Sequence, residues 1–167
     1  MKKLAVILAL AFSSQLSIAS SSGEDKIVWV AEDDPNMNAA ITKARSSLDG
    51  FLKRFRSKPI NIETYKLKVM LSDNNGVEHF WITPFSELGD NKFEGIVAND
   101  PQIVTSVKVF QKIEFSKDQI TDWGYEENGK QIGSFTVCAL FTQMPEQQVK
   151  FYKENHGFVC DETQQND

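Results

Sequence analysis

The sequence is poor in the residues that most often build catalytic and metal sites. Among 167 residues there are two histidines, His79 and His156, and two cysteines, Cys138 and Cys160. The chain contains no Cys-x-x-Cys, His-x-x-x-His, His-Glu-x-x-His or Gly-x-Ser-x-Gly pattern, and its glycines stand singly rather than in a phosphate-binding loop. Metal ligands need set spacings, and a general base needs a positioned partner. We therefore predict no catalytic set, no metal site and no cofactor.

After residue 19 the chain lacks any apolar run long enough to span a bilayer. The first 19 residues consist of a basic start, an apolar run over residues 4–12, and the ending Ser17-Ile18-Ala19. This is the layout of a secretory signal peptide, and it fits a buried N-terminal helix much less well. We expect cleavage after Ala19, a periplasmic or secreted mature protein, and no membrane insertion once the signal is removed.

The chain also lacks an excess of basic residues. Its net charge is −5, and removal of residues 1–19 takes away two lysines and no acid, which makes it −7. Nucleic-acid affinity comes mainly from neutralisation of phosphates by Lys and Arg. We expect no nucleic-acid partner. A protein partner or a small ligand remains open.

The two cysteines suit an exported protein, because disulfides persist in oxidising compartments. Pairing of Cys138 with Cys160 would stabilise the fold by about 3 kcal/mol through the entropy of loop closure. Two free buried thiols are the alternative, since the sequence does not show whether the side chains meet.

The remaining pattern predicts one α+β domain over residues 33–160, after a lead-in at 20–32 with a short strand at 27–31 and before a flexible tail at 161–167. Asp34 followed by Pro35 is typical of a helix start. From there apolar residues recur at steps of three and four, which predicts an amphipathic helix over 35–56.

Alternating and β-rich segments then predict an antiparallel, curled sheet of about five to six short strands, at 65–71, 77–83, 93–98, 107–115, 120–125 and 131–133. Residues 73–76 predict a four-residue hairpin loop, and Asn128-Gly129 a second turn. Residues 134–144 fit a strand or a helix, and we favour a helix. Pro145 starts a further helix that Gly157 ends.

Aromatic and acidic side chains gather in three segments. They are Glu78, His79 and Trp81, then Asn99, and then Asp122, Trp123 and Tyr125. Such groups can form a rim that grips a partner or a sugar, because Trp and Tyr combine a large rigid area with a polar tip. The commoner role of such aromatics is to fill the interior of a curled sheet.

Two functional hypotheses follow. One is a non-enzymatic exported binding or accessory protein, inhibitor-like or immunity-like, that uses the surface around Trp81 and Trp123. The other is a cell-envelope hydrolase with a carboxylate pair such as Glu78 and Asp122. Paired carboxylates of glycoside chemistry lie about 5–10 Å apart across a cleft, so their separation discriminates the two.

The same segments carry a resemblance to a family. The relevant motifs are Asp34-x-x-Met37-x-x-Ala40, Val77-Glu78-His79-x-Trp81, Phe93-x-Gly95-x-x-x-Asn99-x-Pro101, Ile120-x-Asp122-Trp123-x-Tyr125 and Asn128-Gly129-Lys130-x-x-Gly133-x-x-Thr136. In this order they resemble the YegJ-like family of bacterial proteins, a domain of unknown function, over about residues 33–142. The resemblance implies a fold unit often found behind export signals, and it implies no activity, substrate or catalytic residue.

Overall fold

The computed structural model describes residues 34–60 and 64–160. The predicted signal peptide, the strand at 27–31 and the tail at 161–167 lie outside the described residues. The described chain confirms the α+β prediction, with one N-terminal helix, a six-stranded antiparallel sheet and two C-terminal helices. The elements are α1 (Pro35–Ser57), β1 (Lys66–Asp73), β2 (Gly76–Gly89), β3 (Lys92–Val97), β4 (Lys112–Ser116), β5 (Ile120–Glu127), β6 (Lys130–Gly133), α2 (Phe135–Phe141) and α3 (Glu146–His156).

Helix α1 begins as the sequence predicts. The Asp34 carboxylate accepts a hydrogen bond from the Met37 amide at 2.8 Å, and Pro35 occupies the first turn, where its missing N–H costs nothing. The buried stripe consists of Ala40, Ala44, Leu48, Phe51 and Leu52. Within the described ranges, no helix is long and apolar enough to cross a membrane.

The sheet has the strand order β4-β3-β2-β1-β5-β6, so most neighbours in the sheet are consecutive in the chain. The turn between β1 and β2 is shorter than predicted: Asp73 pairs with Gly76, which leaves only Asn74 and Asn75 in the turn. A Cβ atom at Gly76 would lie 2.9 Å from the Ile103 side chain, so the glycine also allows the loop between β3 and β4 to approach this turn.

Two strand boundaries differ substantially from the prediction. Strand β2 does not end at residue 83 but continues through Pro84 to Gly89. The strand predicted at 107–115 begins only at Lys112, because a turn precedes it: Phe110 has a φ of +65° and the Gln111 amide donates to the Lys108 carbonyl. A bulky residue at positive φ does not fit an extended strand.

The two faces of the sheet differ in chemistry. One face packs against α1 and carries Leu67, Val69, Phe80, Ile82 and Trp123; we call it the core face. The opposite face carries Lys66, Lys68, His79, Trp81 and Asp122; we call it the polar face. Successive residues of a strand point to opposite sides, so the cross-strand register fixes this assignment.

The C-terminal part confirms the helix prediction for residues 134–144, since α2 covers Phe135–Phe141. Helix α3 ends at Gly157, which has a φ of +68°. Cys138 of α2 and Cys160 form a disulfide with a Cα–Cα distance of 5.4 Å, as the favoured interpretation predicted. The bond ties the segment after α3 to α2. The same segment also contacts β6, where the Gln131 amide donates to the Gly157 carbonyl at 2.9 Å.

Candidate functional site

The seven residues singled out from the sequence do not form one surface. His79, Trp81 and Asp122 lie on the polar face. Glu78, Trp123 and Tyr125 alternate with them and point to the core side, and Asn99 follows β3. A single surface containing both Trp81 and Trp123 is therefore not formed.

Trp123 and Tyr125 belong to the interior of the protein. Each is 7% exposed, and the two rings stack with Phe51 of α1. The Trp123 indole donates to the Ala44 carbonyl at 3.0 Å, which satisfies its one polar group. These two residues fill the core, the role that aromatics in a small sheet usually have.

Glu78 holds the loop that follows β3. Its carboxylate accepts hydrogen bonds from the backbone amides of Gln102, Ile103 and Val104 at 2.9–3.1 Å. Asn99 has a similar positioning role, because its side-chain oxygen accepts from the Trp81 amide at 2.8 Å. Both side chains are thus engaged with backbone groups.

The side chain of Asp122, a residue of β5, reaches the start of α2 and is fully buried. Its carboxylate accepts from the backbone amides of Trp123, Phe135 and Thr136 and from the Thr136 hydroxyl, the last at 2.6 Å. Burial raises the pKa of Asp122, while the charge of Lys68 and the hydrogen bonds oppose that rise. The geometry is that of a structural carboxylate that fixes a helix start.

Glu78 and Asp122 point to opposite sides of the sheet, as their partners show. Glu78 lies across from Leu71, on the core side, and Asp122 lies across from Lys68, on the polar face. The sheet separates the two carboxylates, so they do not face each other across a cleft.

Two lysines on the polar face lie close to the half-buried Trp81 ring. The ammonium nitrogens of Lys66 and Lys68 lie 4.8 and 5.0 Å from the ring centroid, within the range of cation–π attraction. The Lys66 ammonium donates to the Gln131 side-chain oxygen at 2.8 Å, and that of Lys68 donates to the Thr136 hydroxyl at 3.0 Å. Burial lowers the pKa of both lysines, and the nearby Asp122 charge opposes this effect.

His79 lies on the same face and is held by Thr121. Its Nδ1 is 2.9 Å from the Thr121 hydroxyl oxygen, which itself donates to the Lys68 carbonyl. The ring therefore donates from Nδ1. Burial, followed by the charges of Lys68 and Arg45, lowers the pKa of His79 to about 4, so the ring is neutral at neutral pH. Because Thr121 is 1% exposed and its hydroxyl is already directed to a carbonyl, this pair does not present a nucleophile to a substrate.

Sequence analysis missed the lysines and their partners. Lys66 and Lys68 alternate with the buried Leu67 and Val69, and this alternation was the signal that they share a face. Their proximity to Asp122 depends on the pairing of β1 with β5, which two distant segments determine together. Within the described part of the chain, no three His, Cys, Asp or Glu side chains form a group that could hold a metal ion.

The polar face thus offers two ammonium groups, a half-buried indole ring and a neutral imidazole. These groups can bind anions and flat or apolar ligand surfaces. They are set on adjacent strands, and Trp81 pairs directly with Lys68, so the backbone holds them in a defined arrangement.

Known bacterial proteins are similar to this chain over most of its length. The chain is 31% identical over 148 residues to the uncharacterized protein YegJ of Escherichia coli K12, covering 89% of this chain and 94% of that protein. It is 28% identical over 134 residues to a putative ankyrin repeat protein of Neisseria meningitidis serogroup B, covering 75% of this chain and 53% of that protein. No solved structure matches the chain.

The family comparison covers most of the chain. A family model described as "Uncharacterized protein conserved in bacteria (DUF2314)" matches residues 34–159, which include α1, the whole sheet and both C-terminal helices. The chain therefore belongs to the DUF2314 family of bacterial proteins.

Proposed function

We propose that this protein is an exported, non-enzymatic binding or accessory protein, and that it binds its partner or ligand through the polar face. The observation that carries the proposal is the arrangement at Trp81. Its half-buried ring lies 4.8 and 5.0 Å from two ammonium groups that hydrogen bond to neutral oxygens. A rigid aromatic surface with adjacent charge is typical of binding hot spots.

The positions of the Glu78 and Asp122 carboxylates favour a binding role over hydrolysis by this pair. General acid and base catalysis requires carboxyl groups that can reach a substrate proton. Glu78 and Asp122 point away from each other, and backbone amides occupy both. The alternative of a cell-envelope hydrolase with this carboxylate pair has no support in the geometry.

Export is supported by the chemistry of the cysteines together with the N-terminal pattern. The Cys138–Cys160 bond suits an oxidising compartment, and the first 19 residues have the layout of a signal peptide. We place the mature protein in the periplasm or outside the cell, where an inhibitor-like or immunity-like protein would meet its partner.

Affinity capture from the cell envelope tests the proposal. The mature protein is immobilised beside two variants, Trp81→Ala on the polar face and Phe151→Ala on α3, where Phe151 is 53% exposed. We expect both the parent and Phe151→Ala to retain a specific partner that folded Trp81→Ala loses. Equal capture by all three proteins contradicts the proposed surface.

A further inference from the structure

Helix α3 and the residues that follow it lie outside the core of the protein. No residue of α3 is buried, and within the described chain the hydrophobic core cluster contains no residue after Phe135. A helix of 11 residues is marginally stable on its own, since isolated helices shorter than about 12–15 residues barely form in water. The helix therefore depends on the contacts that hold it against the domain.

The non-covalent contacts of residues 145–160 are made mainly by aromatic rings. Tyr152 and Phe158 pack on Phe141 of α2, with ring centroids 5.8 and 5.6 Å from that of Phe141. Phe158 also forms a parallel β-bridge with Gln131 of β6. The Tyr152 and Phe158 side chains stay half-buried, so these contacts remove only part of their apolar surface from water.

The disulfide supplies the covalent part of this attachment. The segment 145–160 follows α2 in the chain, and Cys160 at its end is bonded back to Cys138 of α2. The closed loop has already lost chain entropy that an open segment would lose when it docks. Both cysteines are half-buried, so they remain partly accessible to a dithiol.

We propose that the Cys138–Cys160 bond is a redox-sensitive latch. While the bond is intact, residues 145–160 stay docked against α2 and β6; when a dithiol reduces it, they detach while α1 and the sheet stay folded. One thiolate of the dithiol attacks a sulfur of the bond, and its second thiol then displaces that sulfur. The dithiol is oxidised to a disulfide, and its two protons end on the reduced Cys138 and Cys160.

Detachment changes one end of the polar face. The Phe158 ring centroid lies 5.9 Å from the Lys66 ammonium, which also lies beside the Trp81 ring. Loss of the segment therefore uncovers Lys66. The latch goes beyond the proposed function, because it controls access to this end of the polar face; only its consequence for binding rests on that function.

Nuclear magnetic resonance of the isotope-labelled mature protein, before and after addition of dithiothreitol, tests the latch. The chain has only two cysteines, so the reagent acts on this bond alone. In the reduced protein we expect the amide signals of residues 145–160 to move to the positions of an unstructured chain, and the Gln131 amide to exchange at least about tenfold faster. The core amides of Val69 and Phe80 should keep their protection, and reoxidation should restore the original spectrum.

Acetylation of lysine side chains measures the uncovering of Lys66. We expect Lys66 to react faster in the reduced than in the oxidised protein, whereas Lys112 on β4, at the other edge of the sheet, should react equally in both. The variant Cys138→Ala/Cys160→Ala should resemble the reduced protein, and dithiothreitol should not change it further.

Four results would overturn the inference: dithiothreitol leaves the bond of the folded protein intact, residues 145–160 and Gln131 are unchanged after reduction, the core amides lose their protection together with the segment, or Lys66 reacts no faster after reduction. The outcome is separable from the proposed function. If the segment is released on reduction while envelope capture does not depend on Trp81, the latch stands and the binding surface fails.

Discussion

The hydroxyl oxygen of Thr136 lies 2.6 Å from the Asp122 carboxylate and connects this carboxylate to Lys68. On its other side the same oxygen accepts a hydrogen bond from the Lys68 ammonium at 3.0 Å. Asp122 in turn holds the first amides of α2, so one hydroxyl links the helix start to the lysine beside Trp81. This connection makes the fold and the candidate site interdependent.

Replacing Thr136 by valine tests that connection. Valine keeps the shape but removes the hydroxyl, which leaves Lys68 without its acceptor and Asp122 without one donor. We expect a loss of about 2–3 kcal/mol in the free energy of unfolding, because unsatisfied buried polar groups are costly. Urea denaturation measures it. Thr42→Val on the exposed side of α1 is the control, and a loss there as large as at Thr136 would contradict the account.

The pH dependence of stability should contain a contribution from His79. The pKa of its ring is about 4 in the folded chain and 6.5 for an unperturbed histidine, so the unfolded chain binds more protons between these two pH values. The contribution is present above pH 6.5 and is lost as the pH falls towards 4, by at most about 3 kcal/mol. In His79→Asn, whose amide can still donate to Thr121, this part of the pH profile should disappear. Parallel profiles for both proteins would argue against a buried neutral ring.

Glu78 should determine the order of the loop after β3. Glutamine in its place offers one oxygen instead of two and no charge, so the amides of residues 102–104 lose part of their acceptors. We expect faster hydrogen exchange at these amides and a loss of about 2 kcal/mol in stability. Glu114→Gln on the exposed side of β4 is the matched control. Unchanged exchange in Glu78→Gln would show that the carboxylate does not hold the loop.

How far the sequence predicts this structure depends on the kind of signal. Helix α1 was predictable because Asp34, Pro35 and a regular apolar stripe all indicate the same element. Strand β5 was less informative: its first six residues are all buried, because α1 packs on one side and the start of α2 adjoins the other. Without alternation between buried and exposed positions, the sequence could not show which of Asp122 and Trp123 faces the core.

The candidate site on the polar face could not be predicted in full, because it is formed by contacts between segments that are distant in the sequence. Lys66 and Lys68 read as ordinary solvent-facing residues of a strand until β5 is placed beside them. The turn before β4 was missed for a related reason, since Phe110 adopts a positive φ that its residue type does not predict.

The disulfide should contribute measurably to stability and to the position of Phe158. The cysteines are 22 residues apart, and closing such a loop stabilises a folded chain by about 3 kcal/mol. Cys138→Ala/Cys160→Ala should lose roughly that amount in urea unfolding and should show faster exchange at the Gln131 amide. In oxidised protein, thiol labelling should find no free cysteine; two labelled cysteines would contradict the bond.

The most direct test of the binding surface is site-specific photo-crosslinking in living cells. A photoreactive phenylalanine derivative replaces Met70, which is 37% exposed on the polar face beside His79, or Leu88, which is 48% exposed near the end of β2. Our account predicts a specific crosslinked product from position 70 that is lost in Trp81→Ala and absent from position 88. Equal products from both positions, or a product at position 70 that persists in Trp81→Ala, would contradict it.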